Sequence, residues 1–198
     1  MKRITVLLFI VMAVGSAFGQ QPEPTTIMSD ELHFIAFFPE KPKVIEGSAD
    51  TTFGKARYRQ WNLELPDSSY RVSVIDYSDL SIKMEGKPLN EFYDVLCDDL
   101  QREYGAKFGW HTDILFDELG RNAGVLTKNV SVTERMFLTR QRLYLVILVR
   151  KTSILKDEQS NADAKKFLDN FVFVKKEGNE TNYSYGLPKS LSQNIEHK

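Results

Sequence analysis

Arg142-Leu-Tyr-Leu-Val-Ile-Leu-Val-Arg150 is the stretch on which the reading of this chain turns. Seven apolar or aromatic residues lie between two arginines, too few to cross a bilayer and enough for a strand of ordinary length. In an extended chain Leu143, Leu145, Ile147 and Val149 face one way, and Tyr144, Val146 and Leu148 face the other. Both sets are apolar, so both faces need cover, and a strand covered twice belongs in a sheet between two layers. The amphipathic segments 89–104 and 162–171 supply covering helices. The expected fold class is α/β, a mostly antiparallel central sheet sandwiched between helices (α/β/α), in a single domain.

Upstream of that strand, Leu32, Phe34, Ala36 and Phe38 alternate with His33, Ile35 and Phe37, an opening strand that stops at Pro39. Residues 44–52 and 55–65 read as a hairpin around Phe53-Gly54. The second strand changes phase, with Ala56 and Tyr58 apolar at even positions and Trp61, Leu63 and Leu65 at odd ones, which predicts a bulge near Arg59-Gln60. Tyr70, Val72 and Val74 share one face of the next strand, opposite Ile75 and Tyr77, and polar residues 78–87 make a loop. Leu89, Phe92, Tyr93, Leu96, Cys97, Leu100 and Tyr104 then recur at helical steps, with Gly105 suited to the exit. Cys97, on the apolar stripe and followed by Asp98 and Asp99, reads as a buried small hydrophobe.

Downstream of the helix, residues 110–118 and 123–133 form a second hairpin about Leu119-Gly-Arg-Asn122, and 134–139 continues the meander to a turn at Arg140-Gln141. Ala164, Phe167, Leu168 and Phe171 define a last helix, capped by Ser160 or Asn161. Phe171-Val-Phe-Val174 is either a closing strand or the end of that helix. Short links between neighbouring strands mean antiparallel pairing.

The ends of the chain have a different character. Lys2 and Arg3 precede the apolar run 4–14 and the small-residue stretch Gly15-Ser-Ala-Phe-Gly19, the pattern of a signal peptide over 1–19 cut before Gln20. Residues 20–30 follow as a flexible lead-in, 31–174 as the domain, and 175–198 as a polar tail expected to be disordered. The expected location is therefore exported, periplasmic or extracellular, with no membrane insertion once the signal is removed. Without Lys2 and Arg3 the chain carries 24 basic and 27 acidic side chains, which argues against a nucleic-acid partner. A single cysteine leaves no internal disulfide, so apolar burial carries the stability.

Several phrases together resemble the PsbP-like domain, the fold of the extrinsic P subunit of photosystem II, which also occurs in exported bacterial proteins of unknown role. They are Phe34-Ile-Ala-Phe-Phe-Pro39-Glu-Lys-Pro42, the Thr51-Thr-Phe-Gly54 hairpin, Leu119-Gly-Arg-Asn-Ala-Gly124, Arg142-Leu-Tyr-Leu after a basic turn, and Ala164-Lys-Lys-Phe-Leu-Asp-Asn-Phe171. The resemblance spans residues 32–174. It implies an α/β/α fold and a non-catalytic accessory or binding role, with Gly120 and Gly124 as turn residues and no site to transfer.

Chemistry is sparse. His111 and Asp113 share a strand face at a spacing that serves a divalent metal or a general base, but two ligands make a weak site beside the simpler reading of a solvated strand end. No nucleophile-elbow, phosphate-cradle or dinucleotide pattern occurs, and no cofactor is expected. Lys55, Arg57 and Arg59 line one face of a strand with Tyr58 and Trp61 beside them, a composition typical of binding surfaces. The competing reading makes Trp61 core and the arginines ordinary surface. The sequence thus favours an exported, soluble, non-enzymatic module binding another cell-envelope protein through Arg57, Tyr58, Arg59 and Trp61. The alternatives are a small metal-dependent hydrolase using His111 and Asp113, or a carrier of a small apolar ligand held between sheet and helix.

Overall fold

The computed structural model describes residues 23–51, 54–77, 87–106, 109–115, 119–139, 141–177 and 182–185. The signal peptide read over 1–19, the loop at 78–86 and the tail from 186 lie outside the described residues. Strands β1 (Thr25–Ser29), β2 (Phe34–Phe38), β3 (Lys43–Thr51), β4 (Gly54–Glu64) and β5 (Ser68–Asp76) precede helix α1 (Lys87–Glu103). Strands β6 (Gly109–Leu115), β7 (Leu119–Leu126), β8 (Val130–Thr139) and β9 (Arg142–Lys151) follow, then α2 (Glu158–Asp169), β10 (Val172–Glu177) and β11 (Asn182–Tyr185).

Two antiparallel meanders, β3-β4-β5 and β6-β7-β8-β9, meet along β5 and β9 to give a seven-stranded sheet in the order β3-β4-β5-β9-β8-β7-β6. The 142–150 strand is β9, the central strand of that sheet, covered on both faces as expected. Leu143 and Ile147 pack with Phe92, Tyr93, Cys97 and Leu100 of α1, and Leu145 and Val149 join them from the same face. Tyr144, Val146 and Leu148 pack on the other face with Phe34, Ala36 and Phe38 of β2 and Phe167 of α2.

The expected sandwich between helices needs correction on that second face. Its cover is a four-stranded sheet, β1-β2-β10-β11, with α2 beside it, so only one layer is purely helical. The cause lies in the aromatic content of β2 and β10, which pair with each other at Val172↔Ile35 and Phe173↔Phe34. Phe171 stacks between Phe34 and Phe137 at centroid distances of 5.6 and 5.8 Å. Phe167 meets Phe38 at 5.3 Å and Tyr70 at 5.2 Å, edge to face. The buried Tyr144 hydroxyl donates to the Leu32 carbonyl at 2.9 Å, fixing the turn that leads into β2.

Several boundaries differ from the sequence reading for local reasons. Residues 25–29, placed in a lead-in, form β1 because β2 offers a free edge to pair with. α2 begins a turn early because the Asp157 carboxylate, not Ser160 or Asn161, caps it by accepting from the Ser160 amide at 2.7 Å. The choice left open at 171–174 falls to a strand from Val172, and residues 175–177 and 182–185 of the expected tail continue as β10 and β11. Thr127, whose hydroxyl accepts from the Val130 amide at 3.0 Å, sets the β7–β8 turn, so residues 130–139 are one strand.

Gly120 and Gly124 are strand residues, not turn residues, and each lies directly across from an aromatic ring, Phe137 and Trp110 respectively. A Cβ at Gly120 would sit 2.5 Å from the Phe137 ring and 2.6 Å from the Met136 carbonyl oxygen. A Cβ at Gly124 would sit 2.6 Å from the Trp110 ring. Phe137 is fully buried and cannot retreat, whereas Trp110 is 49% exposed and can swing aside. Gly120→Ala is therefore expected to lower the unfolding free energy by about 1–3 kcal/mol, with Gly124→Ala within about 0.5 kcal/mol of the parent, as read from urea midpoints.

Candidate functional site

The strand that organises the candidate site is β4. Its register is regular against both neighbours, from Lys43↔Asn62 to Thr51↔Gly54 on one side and from Arg57↔Asp76 to Glu64↔Ser69 on the other. The bulge expected near Arg59-Gln60 is absent from this continuous ladder. The apolar phase changes because the two halves of the strand are covered on opposite faces. Ala56 packs in the α1 layer, and Trp61 and Leu63 pack in the layer of β2 and α2. Each half leaves its other face uncovered, and a hollow opens on either side of β4.

On the β2 side the hollow is a cleft of ≈ 560 Å³ between β4 and the turn before β2. Arg57 and Arg59 both line it, as does Arg142. Arg59 donates to Glu31 at 2.8 Å and also bridges Glu46. Arg142 lies 3.6 Å from Asp76 and donates to the Glu31 carbonyl at 3.1 Å. The Arg59 hydrogen bond and charge hold the Glu31 carboxyl below its ordinary range. Three arginines therefore face Glu31, Glu46 and Asp76, and the cleft is close to neutral. Arg57 is exposed and makes no ion pair among the described residues.

Of the other two members of the proposed binding set, Tyr58 borders the same cleft as the arginines and Trp61 does not. Trp61 shares their face but is buried edge-on against Phe34 at 5.0 Å. Tyr58 pairs with Gly47 on the opposite face, its hydroxyl 2.9 Å from where a Gly47 Cβ would stand.

On the α1 side a cavity of ≈ 430 Å³ separates the C-terminal half of α1 from the sheet. Ile75, Leu96, Leu100, Leu145 and Ile147 supply apolar wall, and Tyr58 and Gln60 enter from β4. Three further polar side chains rise from the floor: Arg71 and Ser73 of β5 and Glu134 of β8. Ser73 Oγ donates to Gln60 Oε1 at 3.3 Å. Arg71 and Glu134 both pair with Ile147, so they flank it from the neighbouring strands on the same face. Burial, reinforced by the charge of Glu103 and opposed by that of Arg71, pushes the Glu134 carboxyl up to about 8. At neutral pH it carries a proton and can donate a hydrogen bond.

Glu134 and Arg71 were not singled out in the sequence, although a signal was present. Val132, Glu134 and Met136 alternate along one strand face, and an acid between two buried apolar residues is out of place there. The pair that was singled out, His111 and Asp113, stands on the edge strand β6 opposite Ala123 and Arg121. His111 is exposed, and no group of three possible metal ligands occurs among the described residues. Cys97 is buried, and desolvation raises its thiol, so it belongs to the core beneath α1. Arg121 is also buried there, paired with Asp94 and placed 5.5 Å from the centre of the Tyr93 ring.

No family model matches this chain, and no curated protein matches it. Among solved structures it is similar to the solution structure of cyanobacterial PsbP from Synechocystis sp. PCC 6803. The likeness covers 82% of this chain and 98% of that one, with 9% identity and a TM-score of 0.49. Among the described residues no helix is long and apolar enough to cross a membrane.

The raised Glu134 carboxyl has a consequence for stability. Between its ordinary value of 4.5 and about 8 the folded protein keeps a proton that the unfolded chain releases. The stability it supports is complete below 4.5, declines as pH rises and is gone above about 8. Glu134→Gln removes that ionisation. The variant is expected to match the parent at pH 4.5 and to exceed it at pH 8 by an amount on the order of a few kcal/mol, measured by urea denaturation across that range.

Proposed function

We propose that this protein is an exported, non-catalytic binding module that holds a small, mostly apolar molecule in the cavity beneath α1. The observation that carries this reading is the cavity itself: ≈ 430 Å³, with an aliphatic wall from Ile75, Leu96, Leu100, Leu145 and Ile147 and polar side chains, Gln60, Arg71, Ser73 and Glu134 among them, converging on its floor. Those groups are suited to orienting a ligand. The Ser73 hydroxyl donates to an amide oxygen and not to a base, so it is not activated for attack. Export is supported by the basic start, apolar run and small-residue stretch of residues 1–19. A neutral apolar fluorophore, N-phenyl-1-naphthylamine, is expected to brighten on binding the mature chain. Leu96→Trp, which fills the cavity from the helix side, is expected to weaken binding about tenfold or more. Equal binding by parent and variant would place the fluorophore elsewhere and remove the reading.

A second reading, an envelope-protein partner, is favoured by Arg57, an exposed cation without an ion pair among the described residues beside the edge strand β3. A partner bound there presents a carboxylate. Arg57→Glu is expected to abolish recovery of that partner from an envelope extract at low salt, while Trp61, being core, takes no part. Unchanged recovery with Arg57→Glu would exclude this surface.

A further inference from the structure

We propose that the molecule bound beneath α1 is a small apolar monocarboxylate whose carboxylate accepts hydrogen bonds from the Arg71 guanidinium and the Glu134 carboxyl group. This rests on the reading of that cavity as a ligand site and specifies the chemistry of the ligand's head. Across the sheet, Arg71, Ile147 and Glu134 stand in one row, so two long polar side chains reach into the same space on either side of an aliphatic one. Each is left incomplete by the protein. Arg71 Nε is buried without a hydrogen-bond partner, and Arg71 makes no ion pair among the described residues. Glu134 is 6% exposed, lines the cavity, and makes no hydrogen bond among the described residues. Buried polar groups in that condition are costly unless something else completes them.

The surrounding charges decide the sign of the missing partner. From α1, Asp99 lies at the rim and is paired with Arg102 at 2.7 Å, and Glu103 is exposed to solvent. Cys97 and Tyr104 also approach from the helix, and burial raises both above their ordinary values. From β4, Tyr58 borders the cavity, while Glu64 already accepts from Asn62 and Ser69 at 3.0 Å each. From β7, Arg121 is occupied by Asp94. What remains, with Glu103 at the solvent-facing rim, is one half-buried cation without an ion pair among the described residues and one buried, protonated acid. Both are donors, so the group that completes them is an acceptor with a single negative charge. A cationic head would meet Arg71 without a counter-charge, and a neutral one would leave the guanidinium uncompensated. Leu100, Leu145 and Ile147 then receive the tail.

Titration calorimetry on the mature chain with octanoate, octanol and octylamine at pH 7 and pH 9 tests this. Octanoate is expected to bind the parent at pH 7 and about tenfold more weakly at pH 9, as the Glu134 proton is lost near pH 8. Glu134→Gln keeps an N–H donor and is expected to bind octanoate equally at both pH values. Arg71→Met keeps the bulk of the side chain and is expected to weaken octanoate about tenfold or more without changing octanol binding. Binding of octanol or octylamine without octanoate, or octanoate binding that Arg71→Met leaves intact, would overturn the carboxylate assignment while leaving a ligand cavity. Failure of all three to bind the parent would overturn both.

Discussion

The structure depends on burying β9 from both sides. A strand with apolar residues on each face cannot rest on one layer, and its seven apolar residues divide between two separate cores. Leu143 and Ile147 draw in α1, and Tyr144, Val146 and Leu148 draw in β2 and α2. Each core lies on one side of the large sheet, and α1, β2 and α2 are placed by which of the two they join. Packing an aromatic-rich layer against one face and a helix against the other lets a chain with one cysteine hold together by apolar burial.

The large sheet has seven strands, and the hollows arise at β4, where neither cover is complete. Ala56 and Trp61, five residues apart, belong to different cores, and the face opposite each is left open. The open face on the β2 side fills with arginines and acids that neutralise one another. The open face on the α1 side is partly roofed by the last turns of the helix, which leaves Arg71 half-buried and Glu134 buried. The contrast in exposure separates the two sites chemically. Ion pairs in the cleft are weakened by solvent, whereas Glu134 lies buried in a poorly polarisable setting.

Much of this fold could be read from alternation alone. The faces of β5 and β9 and the stripe of α1 all emerged from spacing, because period-two and helical patterns report burial directly. What alternation could not supply was the identity of the cover. Phe34, Ala36 and Phe38 say that β2 is buried, not that it pairs with β10 in a second sheet, since that pairing joins residues from opposite ends of the domain. The phase change in β4 was misread for a related reason: a switch of covering layer and a bulge leave the same trace in sequence. The candidate site was harder still. Arg57 and Arg59 do share a face and Tyr58 borders their cleft, but Trp61 is close to them along the chain while belonging to the core. Glu134 and Arg71 are far apart in sequence and become neighbours only through Ile147.

The small sheet also governs the order in which the molecule can assemble. The strands of the large sheet pair through local turns once the two meanders have met, yet one flank of β9 stays wet until residues 171–173 return to β2. Closing so long a loop is entropically demanding and comes late. Until residues 171–173 have docked, the chain exposes a broad aromatic surface and is at its most adhesive.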